Sequence, residues 1–390
     1  MKILLITYWF PPSRAIGDKR WGEFYKLSQK DRDIDISVLT ANWQGHDDTD
    51  ANIIYVGAEI KSMPSCSINR PIEYIDMLKH PSLMVRSLDR SIRSNWYGAS
   101  KVWLDENSNN SYDLVISSFG PISSVLLGNY AKKIFHIPHI ADLRDLVSIQ
   151  GQKNRFPFID FLDRQIDKFI MRDVDEFLVV SPTGNEKASE FYKKRVTTIY
   201  NGLEHKIKEN EIDLSVEDIN NIEILYMGTL GINRNPYTIL TLLNTYAKEH
   251  KEVNITVRFA SQDEPFNFID KKRVEHIEVV WLGYLGWEAL EREKSKSNVF
   301  LVLEDLTSNG NENLTGKIFE YLYSQKPIMV SCHRGSDIVK LLDDTNAGNL
   351  ISTTDDFQSF LLAERFLCVE ACNFYTREKQ YDLLKEKIGV

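Results

Sequence analysis

Short apolar runs alternate with longer amphipathic stretches along most of the chain. In the first half, runs rich in β-branched and aromatic residues predict strands at residues 2–7, 34–40, 52–56, 113–117, 137–141 and 176–181. In the second half, similar runs predict strands at residues 222–227, 253–260, 277–282, 299–303 and 327–331. Because strands separated by helical patterns are typical of βαβ units, each series indicates a doubly wound parallel sheet. The predicted fold class is therefore α/β, with two Rossmann-like halves.

The length of the chain favours two domains. Its 390 residues exceed one ordinary core, since domains usually hold about 150–200 residues. We place an N-terminal domain at residues 1–200 and a C-terminal domain at 222–365, joined by a polar, acid-rich linker at 201–221. Residues 366–390 are predicted to form a C-terminal helix that packs back on the N-terminal domain, with Thr376 suited to cap a new helix after a break in the pattern.

Composition and charge exclude several classes of protein. No uncharged apolar run reaches about 18 residues, so no transmembrane helix is expected. The opening apolar run reaches Pro11 and Pro12 without a signal-peptide cleavage site, and the four cysteines form no CxxC pair. The net charge of -9 argues against nucleic-acid binding. We therefore expect a cytoplasmic protein with no metal site.

The most informative stretch spans residues 299–331 and is predicted to form a strand, a polar loop, a helix and a second strand. Glu312 and Glu320 stand eight residues apart in it, about 12 Å along a helix axis. A nucleotide-sugar laid across the start of this helix would meet one acid at its hexose and the other at its ribose. Two unrelated glutamates of an acidic chain fit the same spacing equally well.

Backbone amides at the start of the same helix are predicted to bind a diphosphate. The amides of Leu314, Thr315 and Gly316 fall where a helix presents unpaired N–H groups and the positive end of its dipole. Lys317 stands in the first turn, where a cation opposes the dipole, and an anionic ligand would explain it. A solvated surface lysine is the equal alternative.

A second helix start has a similar pattern. The predicted strand at 222–227 runs into a loop that contains Gly228 and Gly231. Asn235 is suited to cap the next helix and Pro236 to begin it. Arg234 therefore stands beside another anion-binding helix start and is a candidate phosphate ligand.

The N-terminal half offers fewer candidates. The loop after the first strand holds Gly17 but no GxGxxG fingerprint, so neither a nicotinamide nor a flavin cofactor is expected. Arg144 and Asp145 follow a strand at the edge where doubly wound folds bind ligands, although the two side chains could simply pair with each other. The DVD sequence at 173–175 precedes an apolar strand and indicates charged residues at a strand start, not a metal site.

In order along the chain, five segments resemble glycosyltransferase family 4, a large family of retaining GT-B transferases. They are ILLITYWFPPSRAIGDKRW, ADLRD, IYNGLE, YMGTLGINRNP and ENLTGKIFE, and they span nearly the whole chain. The last resembles the family's E-x7-E motif. The resemblance implies a GT-B fold in which an N-terminal acceptor domain and a C-terminal donor domain face a central cleft. The sequence is similar to a branch of this family that is found in surface-polysaccharide assembly.

The resemblance also implies roles for individual residues. By it, Glu312 contacts the transferred sugar and Glu320 the ribose, while Arg234 contacts the diphosphate where the family usually has lysine. Arg144, with Asp145, stands where many members have a histidine of the catalytic cleft.

Other donor and acceptor positions follow from the same resemblance. Gly228 and Thr229 belong to the predicted phosphate loop, with Thr229 where many members have arginine. Gly283 and Tyr284 are assigned to the ribose and base. The acceptor side is assigned to the N-terminal loop, at Ala15, Ile16 and Gly17, with Ala15 replacing one glycine of the family pair.

The implied reaction is retaining hexosyl transfer from a UDP-sugar to a glycan or lipid-linked saccharide, without a metal ion. Two alternatives fit the same donor site: a UDP-sugar 2-epimerase and a non-catalytic nucleotide-sugar-binding subunit. Residues 61–101 mix basic with aromatic and aliphatic residues, which suits a peripheral contact with the inner face of the plasma membrane. A helical excursion packed on the first domain fits that segment equally.

Overall fold

The computed structural model of the chain describes residues 1–13, 19–46, 49–60, 94–146, 149, 157–209 and 211–390. These residues divide into two compact units. The first combines Met1–Tyr200 with Gln380–Val390, and the second is Asn201–Lys379. Each unit is built around one parallel sheet flanked by helices.

The first unit holds a seven-stranded sheet in the order β3-β2-β1-β4-β5-β6-β7. Its strands are β1 (Lys2–Thr7), β2 (Asp35–Trp43), β3 (Ile53–Ile60), β4 (Leu114–Ser118), β5 (His139–Leu143), β6 (Glu176–Val179) and β7 (Arg195–Thr198). Its helices are α1 (Lys19–Ser28), α2 (Trp96–Glu106), α3 (Ser123–Phe135), α4 (Pro157–Met171) and α5 (Pro182–Tyr192), and most of the final helix α12 (Arg377–Ile388) also belongs to it.

The inner strand β1 is apolar from Ile3 to Ile6 because both faces of the sheet are covered. Ile3 and Leu5 pack on one side with Trp21 of α1 and with Leu384 of α12. On the other side, alternate residues of β1 pack with Trp96 of α2. The period of two therefore sorts one strand between two hydrophobic clusters.

The second unit holds a six-stranded sheet in the order β10-β9-β8-β11-β12-β13. Its strands are β8 (Asn221–Met227), β9 (Asn254–Ala260), β10 (Glu278–Trp281), β11 (Val299–Leu303), β12 (Ile328–Ser331) and β13 (Gly348–Leu350). Its helices are α6 (Tyr237–Glu249), α7 (Trp287–Lys296), α8 (Gly316–Tyr323), α9 (Asp337–Thr345), α10 (Thr354–Leu362) and α11 (Val369–Phe374). Short 3₁₀ turns lie at Pro265–Asn267, Lys271–Arg273 and Ser308–Gly310.

The predicted fold class is confirmed, and each predicted strand is present, β1 and β11 with the predicted bounds and the others shifted by one to four residues at one or both ends. Two described strands were not predicted. β7 lies at a sheet edge with partly exposed residues, and β13 has only three residues including Gly348. Neither produces the continuous apolar run that marks a buried strand.

The ends of the second unit are tied together by short contacts. Residues 201–220 pack within this unit, with Leu203 and Ile207 buried and Leu203 bridged to Thr376. The predicted cap at Thr376 is confirmed, because its Oγ1 accepts the Lys379 N–H at 3.3 Å, just inside α12. Beyond that point, Tyr381 joins the core of the first unit.

Two of the predicted sites lie wholly or mostly outside the described residues. One is the acceptor loop at Ala15, Ile16 and Gly17, and the other is the segment 61–101 that was predicted to contact a membrane. Within that segment Trp96 is fully buried in the first unit, so this aromatic residue is not available to a membrane. Among the described helices, none combines the length and apolar character needed to cross a bilayer.

Candidate functional site

A small pocket lies at the carboxyl edge of the second sheet, where β8 and β11 run side by side and α6 and α8 begin. Doubly wound folds bind ligands at this edge. The residues that line the pocket are Tyr226, Met227, Arg234, Leu301, Val302, Leu303, Glu304, Thr315, Lys317 and Tyr321. Of the residues predicted from sequence, it therefore brings together Arg234, Thr315 and Lys317.

Arg234 is held at the pocket by a buried carboxylate. Its Nε and Nη2 lie 2.9 and 2.8 Å from Oε1 of Glu304, and its Nη1 lies 3.4 Å from the hydroxyl of Thr229. Burial raises the pKa of Glu304, and the charge of Arg234 opposes that shift. This ion pair fixes the position of the Arg234 guanidinium, and its acidic partner, Glu304, was not predicted from the sequence. An acid placed directly after the apolar strand β11 was the available signal.

Lys317 lies in the first turn of α8 and points to the glycine loop after β8. A Cβ added to Gly228 would lie 2.0 Å from Lys317 Nζ, so the ammonium group lies directly against this glycine. Burial, and then the nearby charge of Arg234, lowers the pKa of Lys317 to about 8, against the opposite influence of Glu304 and Glu320. The environment is therefore that of a partly desolvated cation, not of a solvated surface lysine.

Aromatic side chains hold the loop and the helix together. The Met227 N–H donates to Tyr321 Oη at 2.9 Å, which ties α8 to the end of β8. The Tyr226 hydroxyl donates to the Thr229 carbonyl at 2.8 Å and fixes the turn after that strand. Tyr321 also stacks on Phe300 of β11, with ring centroids 4.6 Å apart. The pocket is thus built on hydrogen-bonded, buried rings.

The start of α8 differs in two respects from the prediction. The helix begins at Gly316, four residues after Glu312, so the helical rise of about 12 Å between the two glutamates does not apply. The Leu314 N–H donates to the Glu312 carbonyl at 2.8 Å, so it is not an exposed amide facing a ligand. Thr315 is the N-cap residue and its side chain makes no capping hydrogen bond.

Glu312 and Glu320 have different surroundings. Glu312 is buried in the loop between β11 and α8. Glu320 is half-buried and accepts a hydrogen bond from Lys294 Nζ at 2.6 Å, and the same ammonium lies 2.8 Å from Glu291. Lys294 is itself buried and lies over the ring of Trp287, 5.3 Å from its centroid. Sequence reasoning missed Lys294, because one lysine in a highly charged helix carries no signal.

The residues assigned to the nucleobase lie in the loop between β10 and α7. Gly283 has a φ of 69°, which favours glycine, and Tyr284 is exposed. Trp287 begins α7 a few residues later, and Lys294 connects that helix to Glu320. Trp287, Lys294 and Glu320 thus form one chain of contacts that begins three residues after Tyr284.

The predicted residues of the first unit lie at the end of β5. Arg144 is half-buried and Asp145 is exposed. Asp142, just before them, is fully buried and forms an ion pair with Arg20. Trp21 Nε1 also donates to Asp142, at 2.7 Å, so this aspartate joins α1 to β5.

Both aspartates of the DVD sequence form ion pairs. Asp173 lies 3.1 Å from Lys133 Nζ, and Asp175 lies 2.6 Å from Lys132 Nζ. Within the described part of the chain, no group of three His, Cys, Asp or Glu side chains is placed to hold a metal ion. Independence from metal stays a prediction.

No protein-family model matches the chain, and no curated protein does either. Among solved structures, Alr3699/HepE from Anabaena in complex with UDP is similar over 100% of this chain and 99% of its own, with a TM-score of 0.55 and 12% identity. Its complex with UDP-glucose gives the same TM-score, identity and coverage. The N-terminal domain of Candida albicans trehalose-6-phosphate phosphatase is similar over 99% of this chain and 93% of its own, with a TM-score of 0.54 and 11% identity.

These similarities define the class of fold. The two parallel-sheet α/β units match those of GT-B proteins. At such low identity the likeness extends to the fold alone. Membership of glycosyltransferase family 4 stays a prediction from the sequence motifs.

Proposed function

We propose that this protein is a glycosyltransferase that takes a hexosyl group from a UDP-sugar and transfers it to a glycan or lipid-linked saccharide. The observation that carries the proposal is the convergence of Arg234, Lys317 and the uncapped start of α8 on one pocket. A sugar nucleotide presents a diphosphate, and cations beside a helix N-terminus form an anion site. The UDP and UDP-glucose complexes of the similarly folded HepE support a uridine donor.

The charges of the pocket favour an anionic ligand. Glu304 offsets the charge of Arg234, to which it is hydrogen-bonded. Lys317 forms no ion pair with any carboxylate in the described residues, and its pKa is lowered to about 8. A diphosphate would supply the missing negative charge and would restore the pKa of the ammonium group.

The same groups act on the leaving group. Negative charge grows on the diphosphate as the bond to the sugar breaks, and fixed cations and amides stabilise that charge without reorganisation. The leaving phosphate then accepts the proton of the incoming hydroxyl on the same face of the sugar. Retention of configuration, metal independence and a role in surface-polysaccharide assembly rest on the family resemblance.

A ligand-binding experiment tests the donor assignment. Thermal unfolding is measured with UDP, GDP, ADP and their glucose conjugates, all at one concentration that is about 100 times the dissociation constant of UDP. Binding of UDP to the native state then stabilises by about 2.7 kcal/mol, a rise of roughly 5–10 °C in the Tm of a domain of the size of the second unit. We expect the uridine ligands to produce this rise and Lys317→Gln to reduce it. Lys251→Gln, at an exposed turn of the same unit, is the matched control.

Turnover tests the reaction itself. Incubation with UDP-glucose and a mixed set of lipid-linked saccharides is expected to yield a new glycosidic bond. Free epimerised sugar nucleotide would identify an isomerase instead. Donor binding with neither product over a broad acceptor set would contradict the transferase proposal.

A further inference from the structure

Helix α4 exposes several large apolar side chains on the side opposite its buried face. Asp163 and Asp167 are buried on the side that faces the first unit, each 1% exposed. The large apolar residues of the opposite side are Phe158, Phe161, Leu162 and Phe169, which are 69%, 56%, 41% and 67% exposed. An ordinary amphipathic helix turns its apolar stripe to the core.

The exposed apolar residues lie on one side of α4. At about 100° per residue, the four lie within an arc of about 100° along the helix, and the exposed Gln165 lies within the same arc between Leu162 and Phe169. Asp163 and Asp167 fall on the far side of the same helix wheel. Large exposed apolar residues gathered on one face mark an interaction surface.

The orientation of α4 is fixed by its buried side. Asp167 Oδ2 accepts a hydrogen bond from the Tyr192 hydroxyl of α5 at 2.8 Å. Ile166 and Ile170 pack on the cluster around Phe177. A rotation that buried the stripe would move two carboxylates and break these contacts, so the stripe stays outward.

A row of cations runs along one edge of the stripe. Arg164, Lys168 and Arg172 are exposed and follow each other at intervals of four residues, so they share one side of the helix. Lys168 Nζ lies 4.5 Å from the ring centroid of Phe191, and the Arg172 guanidinium lies 5.0 Å from that of Phe169. Arg172 also lies 3.4 Å from Asp173, which reduces its charge in part. Basic residues beside exposed phenylalanines are notable in a chain of net charge -9.

These features select the occupant of the surface. Phenylalanines flanked by lysine and arginine suit the boundary between acyl chains and anionic headgroups. A second copy of this chain is a poor match, because a twofold contact pairs this surface with itself and so supplies no acidic surface opposite the basic row. We propose that α4 docks on an anionic membrane surface, with the phenylalanine stripe in the headgroup region and the basic row on lipid phosphates. This inference does not depend on the donor pocket.

Vesicle sedimentation tests the proposal. The full chain is expected to bind vesicles that contain about 30% anionic phospholipid and to bind weakly to zwitterionic ones, with added salt reducing the binding. Phe161→Ser/Phe169→Ser should lower the partition coefficient roughly 10- to 100-fold, because two apolar rings no longer leave water. Arg164→Gln/Lys168→Gln should remove most of the preference for anionic lipid. Phe366→Ser, an exposed aromatic position of the second unit, is the matched control.

Other outcomes would overturn the proposal. Circular dichroism and Tm identify a variant that fails to fold, and the salt and lipid dependence of the unmodified chain then remains decisive. Equal partition into both kinds of vesicle, or unchanged binding by Phe161→Ser/Phe169→Ser, would exclude α4 as the membrane contact. Self-association that this double variant abolishes, without vesicle binding, would assign the face to a second copy of the chain.

Discussion

Lys317 should make the affinity for the donor depend on pH above neutrality. Burial and the charge of Arg234 lower its pKa to about 8. A diphosphate binds the protonated form, so binding above pH 8 requires uptake of a proton. The protonated fraction falls from about nine tenths at pH 7 to about one tenth at pH 9, so the dissociation constant of UDP should rise about ten-fold, or about 1.4 kcal/mol.

Isothermal titration with UDP at pH 7, 8 and 9 measures this change. The diphosphate is already about nine tenths fully ionised at pH 7, since the last pKa of a terminal phosphate is about 6, so its own titration changes little over the range. Buffers of different ionisation enthalpy should report uptake of a proton at pH 9 and little at pH 7. Lys317→Arg keeps its charge at every pH and should abolish the dependence, whereas Lys317→Gln should bind weakly at every pH.

A second substitution perturbs the same ammonium from the opposite side. The Cβ of Gly228→Ala would lie 2.0 Å from Lys317 Nζ, at a backbone φ of 148° that L-residues rarely adopt. This variant should weaken UDP binding at pH 7 and flatten the pH profile. Gly231→Ala, in the same loop with no atom within 4 Å of its added Cβ, is the control. A steep profile that persists in Lys317→Gln would refute the assignment, because another group would then be titrating.

Three further predictions concern the rest of the pocket. Glu312→Gln should lower kcat by roughly 10²-fold, which corresponds to about 2.7 kcal/mol of transition-state stabilisation. Glu320→Ala should mainly raise the donor KM, and Lys294→Met should raise it in the same way. Steady-state kinetics on folded variants checks these three expectations. Turnover should survive EDTA, and loss of activity that magnesium or manganese restores would contradict the assignment of the diphosphate to Arg234 and Lys317 without a metal ion. Arg234→Gln leaves Glu304 buried without its cation and should lower the free energy of unfolding by roughly 1–3 kcal/mol. The pKa of the Glu304 carboxyl is raised in the folded state, so this carboxyl takes up a proton as the pH falls towards its ordinary pKa of about 4. The loss of stability should therefore be smaller at pH 5 than at pH 7, which chemical denaturation at the two pH values measures.

Sequence patterns predict the sheets well because buried parallel strands are apolar on both faces. β1 and β11 match their predicted bounds, since all but the first residue of β1 and every residue of β11 are buried. This rule does not predict β7 and β13, because β7 is partly exposed and β13 is only three residues long. A strand that lacks a continuous buried run depends on its neighbours, and local sequence does not encode them.

The candidate site divides in a similar way. Arg234 and Lys317 were predicted because each stands beside a helix start, a local feature that sequence shows directly. Glu304 and Lys294 were missed because their importance lies in which distant side chain they meet, 70 and 26 residues away along the chain. The hydrogen bond made by the Leu314 N–H was not predicted, because it depends on the residue at which α8 begins.

The two helix starts that looked alike in sequence have different roles in the structure. At α6, Asn235 Oδ1 accepts the Tyr237 N–H at 2.9 Å, so the chain itself satisfies an amide of that first turn. At α8, the side chain of Thr315 makes no such bond, and Lys317 rises from the same turn. A helix start that leaves its amides uncapped while adding a cation is unfavourable alone, because both features place positive charge in one spot. The arrangement becomes favourable once an anion binds there, so the proposed diphosphate is expected at α8, with Arg234 reaching it from the loop before α6.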